Sequence, residues 1–362
     1  MEFLKKLINA ESPSGFEQNA KKVWVDAIDK NCDEVRLDVH GNSTGVYNQG
    51  GNKKVMFSAH IDEVGYIVKH IDDDGYIYVT AIGGIDRHLM PGQMVNILTE
   101  HGIIIGVVGR KPVHCLDEDN EEEDTVAKMH ELWIDIGVND FGQTVGAVRI
   151  GDPIVPSNTF AWLMESRITG RGLDDKAGVW VMAKLIEALK KNEMSGETFP
   201  AIYCSATVQE EIGCRGAITS TYNINPEVAI AIDATFATDH PYMDKEAWGD
   251  IEVGGGPVIC RGANINTMVF DELVASAEAI NIPYQIEAEP GKTGTDAEVM
   301  QVSRNGVATG LVSIPLRYMH SPVEVVDVND MKNTVKLLTK FCSRMSRNIS
   351  FVPKWEGDTN AF

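Results

Sequence analysis

The sequence is short of positive charge: 32 Lys and Arg face 53 Asp and Glu, for a formal charge of −21. Nucleic-acid binding needs a basic surface, so this balance excludes nucleic acid as a partner. It argues equally against docking on anionic membranes. Long apolar runs are missing too, and the longest candidate, Ile103 to Val108, is bounded by glycines and falls far short of the ~20 residues that span a bilayer. The opening Met1-Glu2-Phe3-Leu4-Lys5-Lys6 has no apolar stretch of the kind a signal peptide carries. The six cysteines never form a CxxC pair, which removes a Cys-type zinc site and suits reduced thiols. The expectation is a soluble, cytoplasmic, acidic protein.

Apolar residues make up 43% of the 362 positions and charged ones 23%, a globular composition long enough for two or three domains. Ser14-Gly15-Phe16-Glu17 reads as a capping box that opens a helix reaching Ile28. Lys54 to Ile61 is a mostly apolar run, suited to a strand buried on both faces. From Lys69 to Glu165, short alternating segments separated by Gly, Asp and Pro predict a compact all-β unit. Inside it, Asp117 to Asp124 holds seven carboxylates in eight residues. It reads as a solvated loop, because the spacing and central glycine of an EF-hand are absent.

After Ser166 strands and helices alternate again. Helices are expected over Asp175–Lys191, Asn266–Ala279 and Asn329–Arg347, the last capped by Asp327, with a helical turn at Arg215–Thr219. Strands are expected at Ala201–Gln209, Val228–Thr235, Tyr284–Ala288 and Gly306–Pro315. This is an α/β pattern, a sheet between helical layers. One α/β domain, residues 1–68 and 166–362, is interrupted by an inserted β-domain, residues 69–165.

Five polar clusters sit at the ends of apolar strands: His60-Ile61-Asp62, Asp174-Asp175, Glu210-Glu211, Asp233 and His320. In open α/β sheets, ligands bind in the crevice beyond the carboxyl ends of the strands. Taken singly, each cluster has an ordinary structural reading; the shared placement is what points to a site. Carboxylates beside buried strands need compensating positive charge, and only Arg171, Lys176 and Arg215 lie close in sequence. Carboxylates and imidazoles that outnumber nearby cations imply metal ions, and imidazole favours zinc, cobalt or manganese over magnesium. Asp62 lies two residues after His60, on the same face of a strand, where it can orient a metal-bound imidazole. A water activated by metal with a carboxylate base beside it is hydrolytic chemistry.

The motifs SAHIDEVG (58–65), GLDDKAG (172–178), TVQEEIGCRGA (207–217), AIDAT (231–235), GTDAE (294–298) and YMHSPVE (318–324) resemble those of the tetrahedral aminopeptidases. This family of dinuclear metallopeptidases includes glutamyl aminopeptidases and relatives labelled endoglucanases. The resemblance implies a phosphorylase/hydrolase-like α/β domain with a mixed sheet between helices and an inserted, barrel-like all-β dimerisation domain. It implies two divalent metal ions, with Asp174 bridging them, His60 and Asp233 completing one position, and Glu211 and His320 the other. Glu210 becomes the general base acting on a metal-bridging water, and Asp62 the partner of His60. It also implies short peptide substrates and dimers assembling into a tetrahedral dodecamer. Residues 174–176 read Asp-Asp-Lys where the family has Asp-Asn-Arg or Asp-Asp-Arg, so a point charge stands in for a planar fork.

The expected activity is removal of N-terminal residues from short peptides. Beside it stand a dinuclear-metal carboxypeptidase or deacylase, a glycosidase using paired carboxylates, and a peptide-binding protein without turnover. A glycosidase leaves the two histidines unexplained. Arg261, Lys292 and Arg304 are the cations that could select acidic N-terminal residues.

Overall fold

The structure is a computed structural model that describes residues 1–115, 128–157, 160–346 and 349–353. The acidic run at 117–124 lies outside the described residues. The larger body is built on an eight-stranded mixed sheet. Four neighbouring strands at its centre, Ala201–Thr207, Lys54–His60, Val228–Phe236 and Ala308–Leu316, run parallel. Their residues are buried almost throughout, as expected of strands covered on both faces. One group of helices includes Leu173–Lys191 packed on Val328–Arg344; Arg215–Ile224 and Asp296–Met300 form a second pair against the same strands.

Parallel strands share a direction, so their carboxyl ends fall at one edge of the sheet. Thr207 pairs with His60, and Asp233 with Ser313. That register lays the His60, Asp233 and Glu210-Glu211 segments side by side.

The inserted unit is a closed barrel of six strands that begins at Gly65 and ends at Pro156. It has a hydrophobic core of its own, including Tyr66, Ile77, Ile97, Ile134 and Ile154. The segment after it returns to the larger body: Ala161–Trp162 pairs with Arg167–Gly170, which pairs with Glu324–Asp327.

Several local expectations hold. Asp327 caps its helix through a side-chain oxygen, and Asn266, expected as the first residue of its helix, caps it in the same way. The capping box does not form. The helix spans Gln18–Ile28 with Glu17 at the N-cap, and the Ser14 hydroxyl donates instead to Asp62 Oδ2 at 2.6 Å. The sequence signature was met, but the helix begins three residues later than the signature requires, and the Glu17 carboxylate accepts from the Gly15 amide. The helix expected from Asp175 starts at Leu173, with Asp174 and Asp175 themselves outside helical geometry. Gly178 is required there, because a Cβ would stand 2.4 Å from Asp175 Oδ1, which accepts from the Gly178 amide at 2.9 Å.

Candidate active site

All five clusters converge at the carboxyl edge of the parallel strands, around a cavity of about 250 Å3. A larger cavity, about 650 Å3, lies at the opposite ends of these strands beside Lys53, Glu227 and Ala308, and none of the clusters lines it.

Asp174 stands between the two histidines. Its Oδ1 is 3.2 Å from His60 Nε2, and its Oδ2 is 3.4 Å from His320 Nε2. Asp233 Oδ1 lies 3.8 Å from the same His60 nitrogen, and Glu211 Oε2 lies 3.2 Å from His320 Nε2. Two sets of potential ligand atoms result, His60–Asp174–Asp233 and Asp174–Glu211–His320, each gathered within 4.8 Å. Asp174 belongs to both. The donor set, imidazole with carboxylate, fits a late divalent metal. Glu211 Oε1 is buried without a hydrogen-bond partner, an oxygen with a lone pair left for a cation.

The electrostatics say the same. Burial pushes Asp174 upward, but the imidazoles of His320 and His60 outweigh it and hold its carboxyl below the usual range. Burial, with neighbouring Asp175 and Asp174, drives Asp233 far up against the pull of His60. His320 is depressed by burial yet raised to about 11 by Asp174 and Glu211. So many carboxyl groups in one dry crevice demand cations.

The remaining contacts orient these groups. His60 Nδ1 donates to the Asp62 carbonyl at 3.1 Å, closer than the Asp62 carboxylate at 3.7 Å. That carboxylate instead accepts from the Glu210 and Glu211 amides at 3.0 and 3.2 Å, and from Ser14. Asp62 therefore holds the Glu-Glu segment against the His60 strand. His320 Nδ1 donates to the carbonyl of Gly84, in the loop after barrel strand Ile77–Ile82, at 3.0 Å. Both histidines thus have Nδ1 engaged and Nε2 free to face the carboxylates, the arrangement that fixes a metal-binding tautomer. Glu210, pushed up to about 8 by burial and by Asp296 against the opposing pull of His60, accepts a hydrogen bond from Cys214 Sγ at 3.1 Å.

Three functional neighbours were not picked out from sequence. Glu324 accepts from the Asp174 amide at 3.2 Å and the His320 amide at 2.8 Å. Its position four residues after His320 was the available signal. Asp296, in the GTDAE segment, is buried and accepts from Ser58 and Thr207 hydroxyls. Glu63 is buried against Arg171 and Lys176, with Lys176 Nζ at 2.8 Å. Lys176 also donates to the Ala10 carbonyl at 3.3 Å. The lysine in Asp-Asp-Lys thus faces away from the cavity and braces the segment that carries Asp174.

The family model for M42 glutamyl aminopeptidases matches residues 41–337. The chain belongs to this family. As an M42 peptidase it is a hydrolase, an aminopeptidase, of a class that works with divalent metal ions. It is similar to a lysyl aminopeptidase of Pyrococcus furiosus, 38% identical over 93% of this chain and 94% of the relative. Its fold is similar to that of a TET aminopeptidase from a marine sediment Thaumarchaeota archaeon, with a TM-score of 0.89, 30% identity, and coverage of 95% of this chain and 96% of that one. It is also similar to the TET1 peptidase of Pyrococcus horikoshii, which can assemble into a tetrahedron or a large octahedral shell. That match has a TM-score of 0.82, 30% identity, and covers 94% of this chain and 98% of the other. No helix among the described residues is long and apolar enough to cross a membrane.

Proposed function

We propose that this M42 peptidase removes single residues from the free N-termini of short peptides, using two divalent metal ions, zinc or cobalt, with manganese also compatible with the donors. The observation that carries the reading is the double engagement of Asp174, one oxygen toward each histidine. Asp174 would be shared by both ions, with His60 and Asp233 completing one position and Glu211 and His320 the other. When bound, the ions supply the Lewis acidity that activates water and polarises the scissile carbonyl.

Glu210 accepts a proton from the attacking water at a carboxylate oxygen and delivers it to the leaving amine nitrogen. Its protonation falls with the charge around it: cations nearby pull the carboxyl back toward the basic form that this role requires. Asp62 holds Glu210 and Glu211 by their amides. Glu324 holds Asp174 and His320 the same way. The cavity of about 250 Å3 is below the ~300–1,000 Å3 typical of drug-sized ligand sites, and suits one terminal residue better than an internal stretch of chain.

The inserted β-unit, residues 69–165 in the sequence reading, is proposed to join two copies. Ile103, Ile105 and Val107 alternate on the outer side of strand Gly102–Gly109, each about half exposed, with Met94 paired to Val107. An apolar stripe of this kind supports self-association. Dimers would then build a tetrahedral dodecamer like those of the TET relatives. The six free cysteines support a reducing, cytoplasmic setting.

The test is removal and return of metal with paired substrates. Chelation should abolish cleavage of a free tripeptide, and zinc, cobalt or manganese should restore it, while the N-acetylated tripeptide stays intact. Cleavage of the blocked peptide would favour a carboxypeptidase or deacylase; sugar hydrolysis that survives chelation would favour a glycosidase.

A further inference from the structure

The cavity has more acid than the metal centre uses. Besides the ligands and Glu210, Glu287 and Glu289 line it. Both belong to strand Gln285–Glu289, where alternation leaves Gln285, Glu287 and Glu289 on the half-buried face and Ile286 and Ala288 exposed. Glu287 Oε1 accepts from the Thr235 hydroxyl at 2.5 Å. Thr235 lies two residues beyond Asp233 on the same strand and face, roughly 7 Å along it. Glu287 is therefore tethered to the strand that carries Asp233, on the wall of the same cavity.

The charge balance is one-sided. Two divalent ions would offset Asp174, Asp233, Glu210 and Glu211, leaving the charge of Glu287 and Glu289 uncompensated. Among the described residues neither is in an ion pair with a lysine or arginine. No lysine or arginine lines the cavity. None of the three cations that could have selected acidic residues lines it, and each has another partner. Arg261 lies 5.5 Å from the Phe270 ring centroid, Lys292 pairs with Glu298 at 2.9 Å, and Arg304 covers Tyr222 at 3.8 Å. Leu311, Met319 and Phe236 also line the cavity, so apolar surface and carboxylates occur together. An aliphatic stem ending in a cation matches that combination.

We propose that Glu287 and Glu289 form the pocket for the side chain of the N-terminal residue and select lysine and arginine. The assignment rests on the aminopeptidase reading above and deepens it. Carboxylates placed here hydrogen-bond and neutralise an incoming ammonium or guanidinium, and they repel a glutamyl or aspartyl side chain. Burial, opposed by the Thr235 hydroxyl, raises Glu287 above its ordinary range, as expected of a carboxylate whose cation arrives with the substrate.

The experiment compares kcat/KM of the metal-loaded wild type, Glu287→Gln, Glu289→Gln and Glu289→Lys on lysyl, arginyl, leucyl and glutamyl fluorogenic substrates. The wild type should favour lysyl and arginyl over glutamyl by about 100-fold or more. Either Gln variant should lose about 10- to 100-fold on lysyl substrate, the scale of a charge-assisted contact, while leucyl cleavage, the control for folding, changes little. Glu289→Lys should narrow or invert the lysyl-to-glutamyl ratio. Equal losses on lysyl and leucyl substrates would assign the pair to the α-amine or to structure and overturn the proposal. So would a wild type that cleaves leucyl or glutamyl substrate as well as lysyl, which leaves the aminopeptidase reading standing. Failure to cleave any of the four overturns both.

Discussion

His320 donates from Nδ1 to the carbonyl of Gly84, at 3.0 Å and 236 positions away in sequence. A loop of the inserted barrel thereby sets the ring orientation of a histidine in the other body. A Cβ on residue 84 would come 3.2 Å from His320 Nδ1 and 3.4 Å from Cε1, so Gly84→Ala should tilt the ring without disturbing either core. Outer contacts of this kind are worth roughly 10- to 100-fold in metal affinity. The expected result is a fall of that order in zinc affinity, read by competition with a chelating dye, with the thermal melt of the metal-free protein unchanged.

Glu210→Gln keeps the size and the Cys214 contact while removing the proposed proton acceptor. Metal content by elemental analysis should stay at the wild-type level. Turnover of free peptides should drop by about 10²- to 10⁴-fold, the usual contribution of a positioned base; an unchanged kcat would take Glu210 out of that role.

Asp62→Ala leaves the Glu210 and Glu211 amides without their carboxylate acceptor and the Ser14 hydroxyl without its partner. Burying unsatisfied groups costs about 1–3 kcal/mol apiece, and the loosened segment carries both Glu210 and Glu211, the proposed base and a proposed ligand. Stability and kcat should fall together, by urea unfolding and peptide assay, whereas Ser14→Ala should lower stability alone by about 1 kcal/mol.

Glu63 offers a pH signature apart from the catalytic groups. Burial raises its carboxyl, but Arg171 and Lys176 outweigh that and bring it from 4.5 down to about 2. A carboxyl depressed in the folded state stabilises fully above its unfolded value and loses that contribution as pH falls through the folded one. The wild type should thus lose stability between about pH 4.5 and 2 from this group, and Glu63→Gln should flatten that part of the curve of urea midpoint against pH. At neutral pH the variant should be less stable by about 3–5 kcal/mol, because two buried cations lose their counter-ion.

The strand ends were legible because apolar runs that stop at His60, Glu210, Asp233 and His320 are a one-dimensional pattern, and parallel pairing turns it into adjacency. The inserted barrel was legible from its alternation and turns. What escaped depended on contacts between distant segments. Ser14 and Glu17 satisfied the local signature of a helix cap, yet the hydroxyl went to Asp62, 48 residues on. Gly84 contributes a backbone carbonyl, which no residue type announces. Glu287 and Glu289 carry no signal beyond their strand; it is the side-chain bond from Thr235 to Glu287, two strands across the sheet from the pairing partner of Thr235, that marks their face as the cavity wall.

The participating residues are also spread along nearly the whole chain, from His60 to His320 of 362. Their last member, His320, takes its orientation from the barrel loop that carries Gly84. Cutting out the barrel would therefore leave every candidate ligand in the larger body yet release the ring of His320.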